Sequence, residues 1–318
     1  MDPKVFHCKF TADGCTFHTL QHFRNGHKAP VYNVTSTGAL NQIIGHVKFL
    51  NSEYGNVYYR GVTGLYDNAL PSLMRNKVNG CPSNFNSVLS NVESSDYFKD
   101  SLKLQPLIEG YGHKRENQRI KRFNRYKVES LLQHYSGCTR FLDVVDNHWV
   151  ALWMGLHTFV DHGKGKSYCM AKKRSISMWD IHENRLTTDQ MYTYVLLIAM
   201  PYPQGEPNMG ISETEDFVEV DLRRALPSIY LRPHAQHALV IRRREKGNTY
   251  NRADYYDMSS QIVAILRIRI DRVAEWLGDG ALLTQSNLFP SPSIDQGYNN
   301  LLLNADYFPD PCQIKKYF

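Results

Sequence analysis

The sequence lacks a long apolar run and a framework of paired cysteines. Its longest apolar run, from Tyr194 to Met200, falls far short of the roughly 20 residues that a membrane-spanning helix needs. The six cysteines are scattered along the chain, and no apolar signal segment precedes them. We therefore expect a cytoplasmic protein that has reduced thiols and no membrane partner.

The signature motifs of several enzyme classes are absent as well. The chain contains no glycine-rich phosphate loop, no Gly-x-Ser-x-Gly nucleophile elbow and no His-Glu-x-x-His zinc motif. These absences weigh against a kinase, a hydrolase of the serine type and a zinc protease.

Positive charge is concentrated in two stretches rather than spread evenly. The formal net charge is +6, but residues 114–127 alone hold seven lysines and arginines, and Arg242, Arg243 and Arg244 are consecutive. Such clusters attract phosphate groups without reading a base sequence. They favour a nucleic-acid partner, and a solvated helix face is the alternative for residues 114–127.

Residues 1–30 differ in composition from the rest of the chain. They form a small segment rich in cysteine and histidine, which predicts an appendage to one large domain at residues 31–318. Two thiolates and two imidazoles suit tetrahedral Zn²⁺, so the candidate metal ligands are Cys8, Cys15, His22 and His27, with His7 and His18 as alternatives. Their spacing is wider than in ordinary zinc fingers, and polar residues of a docked arm are the other interpretation.

Local patterns predict an α+β fold. Helical spacing follows a hydroxyl cap at residues 35–37, and a basic helix is expected to run through Leu132. Asp146 and Asn147 are expected to cap a third helix that carries apolar residues as far as Phe159. Strands are predicted at 57–60, 191–200, 217–222, 238–243 and 261–270. Long loops between the strands favour a mixed or antiparallel central sheet with flanking helices.

Several short motifs occur in an order that resembles the FRG domain, a family named for its Phe-Arg-Gly triplet. The matching segments are Tyr59-Arg60-Gly61, Leu70-Pro71-Ser72-Leu73-Met74-Arg75, Leu132-Gln133-His134-Tyr135, Thr139-Arg140-Phe141-Leu142-Asp143, Arg232 with Ala235-Gln236, and Leu288-Phe289-Pro290. The resemblance covers roughly residues 31 to 300. It implies an FRG-type fold for the large domain.

The position of Arg60 after a strand is similar to that of the arginine with which ADP-ribosyltransferases hold the pyrophosphate of NAD. The resemblance therefore implies an NAD-consuming transferase that modifies a macromolecule, with RNA or DNA favoured over protein because of the basic clusters. FRG-type proteins resemble bacterial or phage-associated accessory proteins. This implies a toxin or anti-phage effector, controlled by an antitoxin-type protein partner.

An ADP-ribosyltransferase-like site needs a phosphate anchor, an aromatic shelf for nicotinamide and a polar group near the ribose. The candidate anchors are Arg60 and Arg140, the candidate shelves are Tyr135 and Tyr59, and the candidate polar partners are Gln236, Asp143 and Glu129. The wider set expected to bind NAD comprises Tyr59, Arg60, Gly61, Gln133, His134, Thr139, Arg140 and Arg232. Structural roles are the alternatives, namely an ion pair for Asp143 with Arg140 and a hydrogen-bonded histidine for His134.

Two functions from other classes remain open at this point. One is a noncatalytic module in which Arg60, Arg140 and Arg232 bind the phosphates of nucleic acid or of a nucleotide. The other is a protein that docks a partner and uses its polar motifs as an internal network.

Overall fold

The computed structural model describes residues 2–7, 13–75, 85–110, 112–137, 139–162, 168–177, 188–205, 209–247, 252–308 and 313–317. The strands in these ranges are β1 (Cys15–His22), β2 (Lys28–Val34), β3 (Gly55–Val62), β4 (Leu142–Val145), β5 (His157–His162), β6 (Tyr168–Lys173), β7 (Tyr192–Pro201), β8 (Ile211–Glu213), β9 (Phe217–Asp221), β10 (Ala238–Arg243), β11 (Ile262–Arg269) and β12 (Lys316–Tyr317). The helices are α1 (Thr37–Leu50), α2 (Ser72–Arg75), α3 (Phe85–Ser94), α4 (Asp96–Ser101), α5 (Lys114–Ser136), α6 (His148–Leu156), α7 (Leu222–Ala225), α8 (Arg232–Ala235), α9 (Ile270–Trp276), α10 (Gln285–Leu288) and α11 (Gln296–Leu303). Short 3-10 turns occur between some of them.

Nine of the described strands form one sheet in the order β1-β2-β11-β7-β3-β4-β10-β9-β8. Strands β2 and β11 are parallel, and every other neighbouring pair in this sheet is antiparallel. A second sheet has the order β12-β6-β5. The predicted α+β class with a mixed central sheet and flanking helices is therefore confirmed.

The sheet is buried on both faces where β7 crosses its middle. Val195, Leu197 and Ala199 of β7 belong to a core cluster that includes residues of α1, α6 and α9. Leu196 and Ile198 alternate with them and belong to a cluster on the other face. A third cluster joins α3 and α5 to β9 and β10. Burial on both faces explains why β7 has an apolar residue at every position from Tyr194 to Met200.

Helix α5 brings one of the polar motifs to the sheet. Its first half is mostly exposed, whereas every residue from Tyr126 to Ser136 is buried, including Gln133, His134 and Tyr135 in the last turn. The helix ends because Gly137 adopts a left-handed conformation with φ of 75° and donates its N–H to the carbonyl of Gln133 at 3.0 Å.

Two sequence predictions differ from the observed elements. The helix capped by Asn147 ends at Leu156 instead of reaching Phe159, because the chain turns extended at His157 and pairs with β6. Residues 15–22 and 28–34 form β1 and β2 of the nine-stranded sheet, so the predicted boundary after residue 30 falls inside β2. In the described ranges, no helix combines the length and the apolar character needed to cross a membrane.

Candidate functional site

The central sheet is split between β3 and β4. Strand β3 pairs with β7 over its whole length, and β4 pairs with β10 over its whole length. Between β3 and β4, in contrast, the described backbone forms a single pair, Tyr59 with Val145. The side chain of Arg60, the next residue of β3, reaches across the gap and donates from Nη1 to the carbonyl oxygen of Asp143 at 2.6 Å.

A cavity of about 450 Å³ lies at this split. Its lining includes seven residues that the sequence predicted as site residues: Tyr59, Arg60, Gly61, Gln133, His134, Asp143 and Gln236. They come from β3, β4, the end of α5 and the residue after α8. The fold therefore brings together side chains that are as many as 177 positions apart in the sequence.

The carboxyl group of Asp143 is held in place by a chain of hydrogen bonds. Gln133 donates from Nε2 to Asp143 Oδ2, and Thr139 donates from Oγ1 to Gln133 Oε1 at 2.7 Å. Burial raises the pKa of Asp143 above its ordinary value, although the charge of Arg60 and the bond from Gln133 act in the opposite direction. Thr139 thus orients the amide that fixes the carboxyl group.

The guanidinium of Arg60 is only partly compensated. Burial lowers the pKa of Arg60 to about 10, with the attraction of Asp143 raising it and the repulsion of Arg75 lowering it further. The group stays protonated at neutral pH. Its one hydrogen bond to a described residue goes to a backbone carbonyl rather than to a carboxylate.

The side chain of His134 lines the cavity and has a ring nitrogen without a hydrogen-bond partner among the described residues. The residue is 8% exposed, and its Nε2 atom is buried without a hydrogen-bond partner in the part of the chain that the structure describes. Burial and the nearby charge of Arg232 lower the pKa of His134 to about 3, so the ring is neutral at physiological pH. A neutral imidazole nitrogen without a partner suits a ligand donor or acceptor, according to the tautomer.

Tyr135 and Arg232 lie behind the cavity wall and do not line it. The Arg232 guanidinium is fully buried, with its central carbon 4.3 Å from the ring centre of Tyr135, 4.5 Å from Tyr298 and 4.4 Å from Tyr317. Its Nη1 atom donates to the carbonyl of His134 at 3.3 Å. The structure therefore places Arg232 where it supports His134 from behind, away from the predicted phosphate position.

Arg140 is a member of a buried ion network instead of a cavity residue. It donates to Glu129 from Nε at 2.9 Å and from Nη2 at 2.7 Å, and it also pairs with Glu245. Arg242 lies 3.3 Å from the same Glu129 carboxylate. The alternative of an ion pair between Arg140 and Asp143 is wrong, because Glu129 and Glu245 take that arginine instead.

Gly61 lines the cavity, but its closest neighbour is the backbone of α6. A Cβ atom at Gly61 would lie 1.7 Å from the carbonyl oxygen of Ala151 and 2.7 Å from the nitrogen of Gly155. A glycine is therefore needed here for the packing of α6 against β3. Gln236 also has a structural contact, since its Nε2 donates to the carbonyl of Leu288 at 2.7 Å.

The sequence reasoning missed several residues of the cavity. Arg75 lines it together with Arg60, and aromatic walls come from Phe159, Phe289 and Tyr317. The rings of Phe289 and Tyr317 are stacked with centres 4.6 Å apart. Arg75 and Phe289 lie in segments that resemble the FRG domain, so the motifs contained a signal for them, whereas nothing in the sequence around Tyr317 pointed to this site.

Two of the predicted zinc ligands, Cys15 and His22, lie too far apart to share a metal ion. Cys8 lies outside the described residues. Cys15 begins β1 and His22 ends it, which separates them by roughly 20 Å of extended chain, whereas zinc ligands lie only about 2.0–2.3 Å from the metal. The ring of His27 is hydrogen-bonded to the carbonyl of Ile262 at 2.7 Å. Among the described residues, no cluster of His, Cys, Asp and Glu side chains is arranged to hold a metal ion, and Cys15 and His22 are too far apart to bind the same Zn²⁺ ion.

Both basic clusters are partly neutralised within the protein. Arg122 pairs with Glu213 at 2.8 Å, Arg125 pairs with Glu93 at 3.1 Å, and Arg244 approaches Glu213 at 3.8 Å. The basic side chains that remain exposed on α5 are those of Lys114, Arg115, Arg119 and Lys121, and the acidic Glu116 is exposed among them.

Comparisons of the chain with models of known protein families, with curated proteins and with solved structures give no match. The resemblance to the FRG domain therefore rests on the motifs alone.

Proposed function

We propose that this chain is an NAD-dependent ADP-ribosyltransferase-like effector that modifies a macromolecule. The observation that carries the proposal is the Arg60 guanidinium in the gap between β3 and β4, at a cavity that Asp143 and His134 also line. An anion anchor, a carboxyl group and aromatic walls in one cavity are the groups that this reaction requires.

The anchor fits a diphosphate. Arg60 and Arg75 line the same cavity and repel each other, so an anion between them relieves an unfavourable interaction. A guanidinium presents a planar set of donors that matches phosphate oxygens, and Arg60 has one hydrogen bond to the described residues. Phosphate binding therefore competes with a single bond to a backbone carbonyl.

The carboxyl group of Asp143 suits the chemical step. In ADP-ribosyl transfer, the bond between nicotinamide and the ribose carbon breaks, and its electron pair leaves with nicotinamide as a neutral ring. Positive charge develops on the ribose, and a fixed carboxylate beside it stabilises that charge. The attacking group of the macromolecule forms a new bond to the ribose carbon, and the same carboxylate accepts the proton that this group loses, a role that its raised pKa favours.

The remaining walls suit the nicotinamide end. Phe159, Phe289 and Tyr317 line this end of the cavity. Phe289 and Tyr317 stack on each other and Arg232 lies over the Tyr317 ring, whereas the ring of Phe159 is 41% exposed and can stack on a planar heterocycle. We assign the aromatic shelf to Phe159 instead of Tyr135, because Tyr135 is fully buried and donates its hydroxyl to Asp295 at 3.0 Å. His134 Nε2 is the candidate hydrogen-bond partner for the ligand.

We propose nucleic acid rather than protein as the acceptor, because the exposed basic side chains on the first half of α5 remain available to phosphates. Lys121 and His134 are thirteen positions apart on this helix, which corresponds to roughly 20 Å. An acceptor that contacts both the basic side chains and the cavity therefore spans several nucleotides.

The test uses NAD labelled in its adenosine half, incubated with the protein and with RNA, DNA or total cell protein. We compare the wild type with Arg60→Ala and with Arg272→Ala, an exposed arginine on α9 that pairs only with Glu275 among the described residues. Label transfer and nicotinamide release should fall about 100-fold in Arg60→Ala and stay unchanged in Arg272→Ala. Circular dichroism and thermal unfolding verify that both variants fold.

A further variant separates binding from chemistry. Asp143→Asn keeps an oxygen that accepts from Gln133 but loses the negative charge, so it should bind NAD and fail to release nicotinamide. If the wild type binds NAD without releasing nicotinamide, the protein is a noncatalytic nucleotide-binding module. If Arg60→Ala loses stability and leaves the reaction unchanged, Arg60 has a structural role and the proposal is wrong.

A further inference from the structure

A second cavity borders the first at the split in the sheet. Its volume is about 250 Å³, and the two cavities share Arg60, Val62, Tyr66 and Arg75 as lining residues. Together they fall within the roughly 300–1,000 Å³ of typical ligand sites. The two arginines that we assign to phosphate therefore lie where the two cavities meet.

The lining of the second cavity differs in chemistry from that of the first. Its other walls are mostly apolar and include Leu65, Leu70, Leu142, Leu196 and Ile262. The carboxylate in this lining, that of Asp67, is already paired with Arg24. Apolar walls suit the binding of a planar base. Because the carboxylate is already paired with an arginine, this cavity offers no group for the transfer reaction.

The loop that forms this cavity is fixed on both sides. Arg24 donates its backbone N–H to the carbonyl of Asp67 at 2.8 Å, and the backbone N–H of Ala69 donates to Asp257 Oδ1 at 2.9 Å. Gln21 also donates to the carbonyl of Tyr66 at 3.1 Å. The walls are thus held before a ligand arrives, which lowers the entropic cost of binding.

We propose that the second cavity binds the nonreacting base of a dinucleotide whose diphosphate lies between Arg60 and Arg75 and whose reacting half lies beside Asp143. This inference rests on the proposed function and adds to it that the protein selects a dinucleotide over its nicotinamide half. Tyr66, which is 61% exposed and lines both cavities, is the ring that a base contacts at the boundary.

Gly64 provides a way to fill this cavity without disturbing the fold. It lines the second cavity and not the first, and a Cβ atom added to it meets nothing within 4 Å. Gly45 on α1 has the same open surroundings and lines neither cavity, so Gly45→Trp is the matched control for Gly64→Trp.

The experiment measures affinity by calorimetry for two probes. ADP-ribose contains the second base and the diphosphate, and nicotinamide mononucleotide contains the reacting half alone. Gly64→Trp should weaken ADP-ribose binding by about 10-fold or more, the loss expected when a stacked base is displaced, and should leave nicotinamide mononucleotide unaffected. Gly45→Trp should bind both probes like the wild type.

Other outcomes overturn the inference in distinguishable ways. Equal affinity of the wild type and Gly64→Trp for ADP-ribose places the second base elsewhere and leaves the proposed transferase intact. Parallel losses for both probes show that the tryptophan disturbs the reacting half, which contradicts separate binding of the two halves. A wild type that binds neither probe refutes both the inference and the proposed function.

Discussion

Glu129 is the centre of the buried ion network. Its replacement by glutamine should lower the free energy of unfolding more than the replacement of any exposed charged residue does. The residue is fully buried and faces two guanidinium groups, with Arg140 Nη2 at 2.7 Å and Arg242 Nη1 at 3.3 Å. Glutamine keeps the size but removes the charge, leaving both guanidiniums to Glu245, whose side chain is 34% exposed. Breaking a buried pair in this way costs about 3–5 kcal/mol of unfolding free energy.

The pH dependence gives the same experiment a second readout. Burial alone would raise the pKa of Glu129, but the charges of Arg140 and Arg242 outweigh it and hold the pKa below its ordinary value. A lowered folded-state pKa contributes stability that is present above the unfolded value, about 4.3, and is lost as the pH falls through the folded value. The difference between the wild type and Glu129→Gln should therefore be full at pH 7 and shrink below about pH 4.

Urea unfolding of both proteins between pH 3 and pH 7 measures this difference. The matched control is Glu93→Gln, which removes the partner of Arg125 in an ion pair whose side chains are 22% and 34% exposed. Such a pair contributes about 1 kcal/mol or less. If Glu129→Gln loses no more stability than Glu93→Gln, the network does not have the structural role that we assign to it.

Two further predictions concern single positions. Gly61→Ala should destabilise the protein by an amount near the top of the range of about 1–3 kcal/mol that overpacking costs, because the new Cβ atom collides with the backbone of α6. Gly64→Ala places its Cβ atom in open space and should change the free energy of unfolding by no more than about 0.5 kcal/mol. Thermal unfolding compares the two variants, and equal effects would contradict the packing argument. Burial lowers the pKa of Lys127 to about 8, so the unfolded chain binds the extra proton between about pH 8 and pH 10 and stability should rise with pH across that window. Lys127→Met should lack this part of the rise in urea unfolding, and identical slopes for the two proteins would show that Lys127 has an ordinary pKa.

The elements that the sequence predicted well are those whose apolar pattern is strong on a local scale. The strand predicted at residues 238–243 is β10 with the same bounds, and the helix after Ser36 is α1. Strand β1 was missed because it lies at the edge of the sheet, where most of its side chains are exposed and polar. Strand β5 was assigned to a helix because Phe159 continues the apolar spacing of α6, and only pairing with β6 makes this segment extended.

The candidate site could be predicted as a set of motifs but not as a geometry. The residues of β3 and β4 do not indicate by themselves that the two strands pair at one position and then separate. The separation depends on the length over which β3 pairs with β7 and β4 pairs with β10. His237, between α8 and β10, adopts a left-handed backbone conformation with φ of 50°. Residues other than glycine seldom adopt this conformation, so the residue type did not indicate the turn.

Arg60, Arg140 and Arg232 show why residue type alone does not identify an anion site. The three arginines have the same charge and lie in similar motifs, but their compensation comes from distant parts of the chain: carboxylates of Glu129 and Glu245 for Arg140, and aromatic rings that surround Arg232. Arg60 makes its hydrogen bond to a carbonyl oxygen, while the carboxyl group of Asp143 receives its hydrogen bond from Gln133. A guanidinium already paired with buried carboxylates, as that of Arg140 is, gains little from a further anion, whereas one that faces a second arginine gains most. Two nitrogens of Arg232 have no hydrogen-bond partner among the described residues, but the group is fully buried and does not line the cavity. Charge and access to the cavity together therefore favour Arg60 over the other two as the place where a phosphate binds.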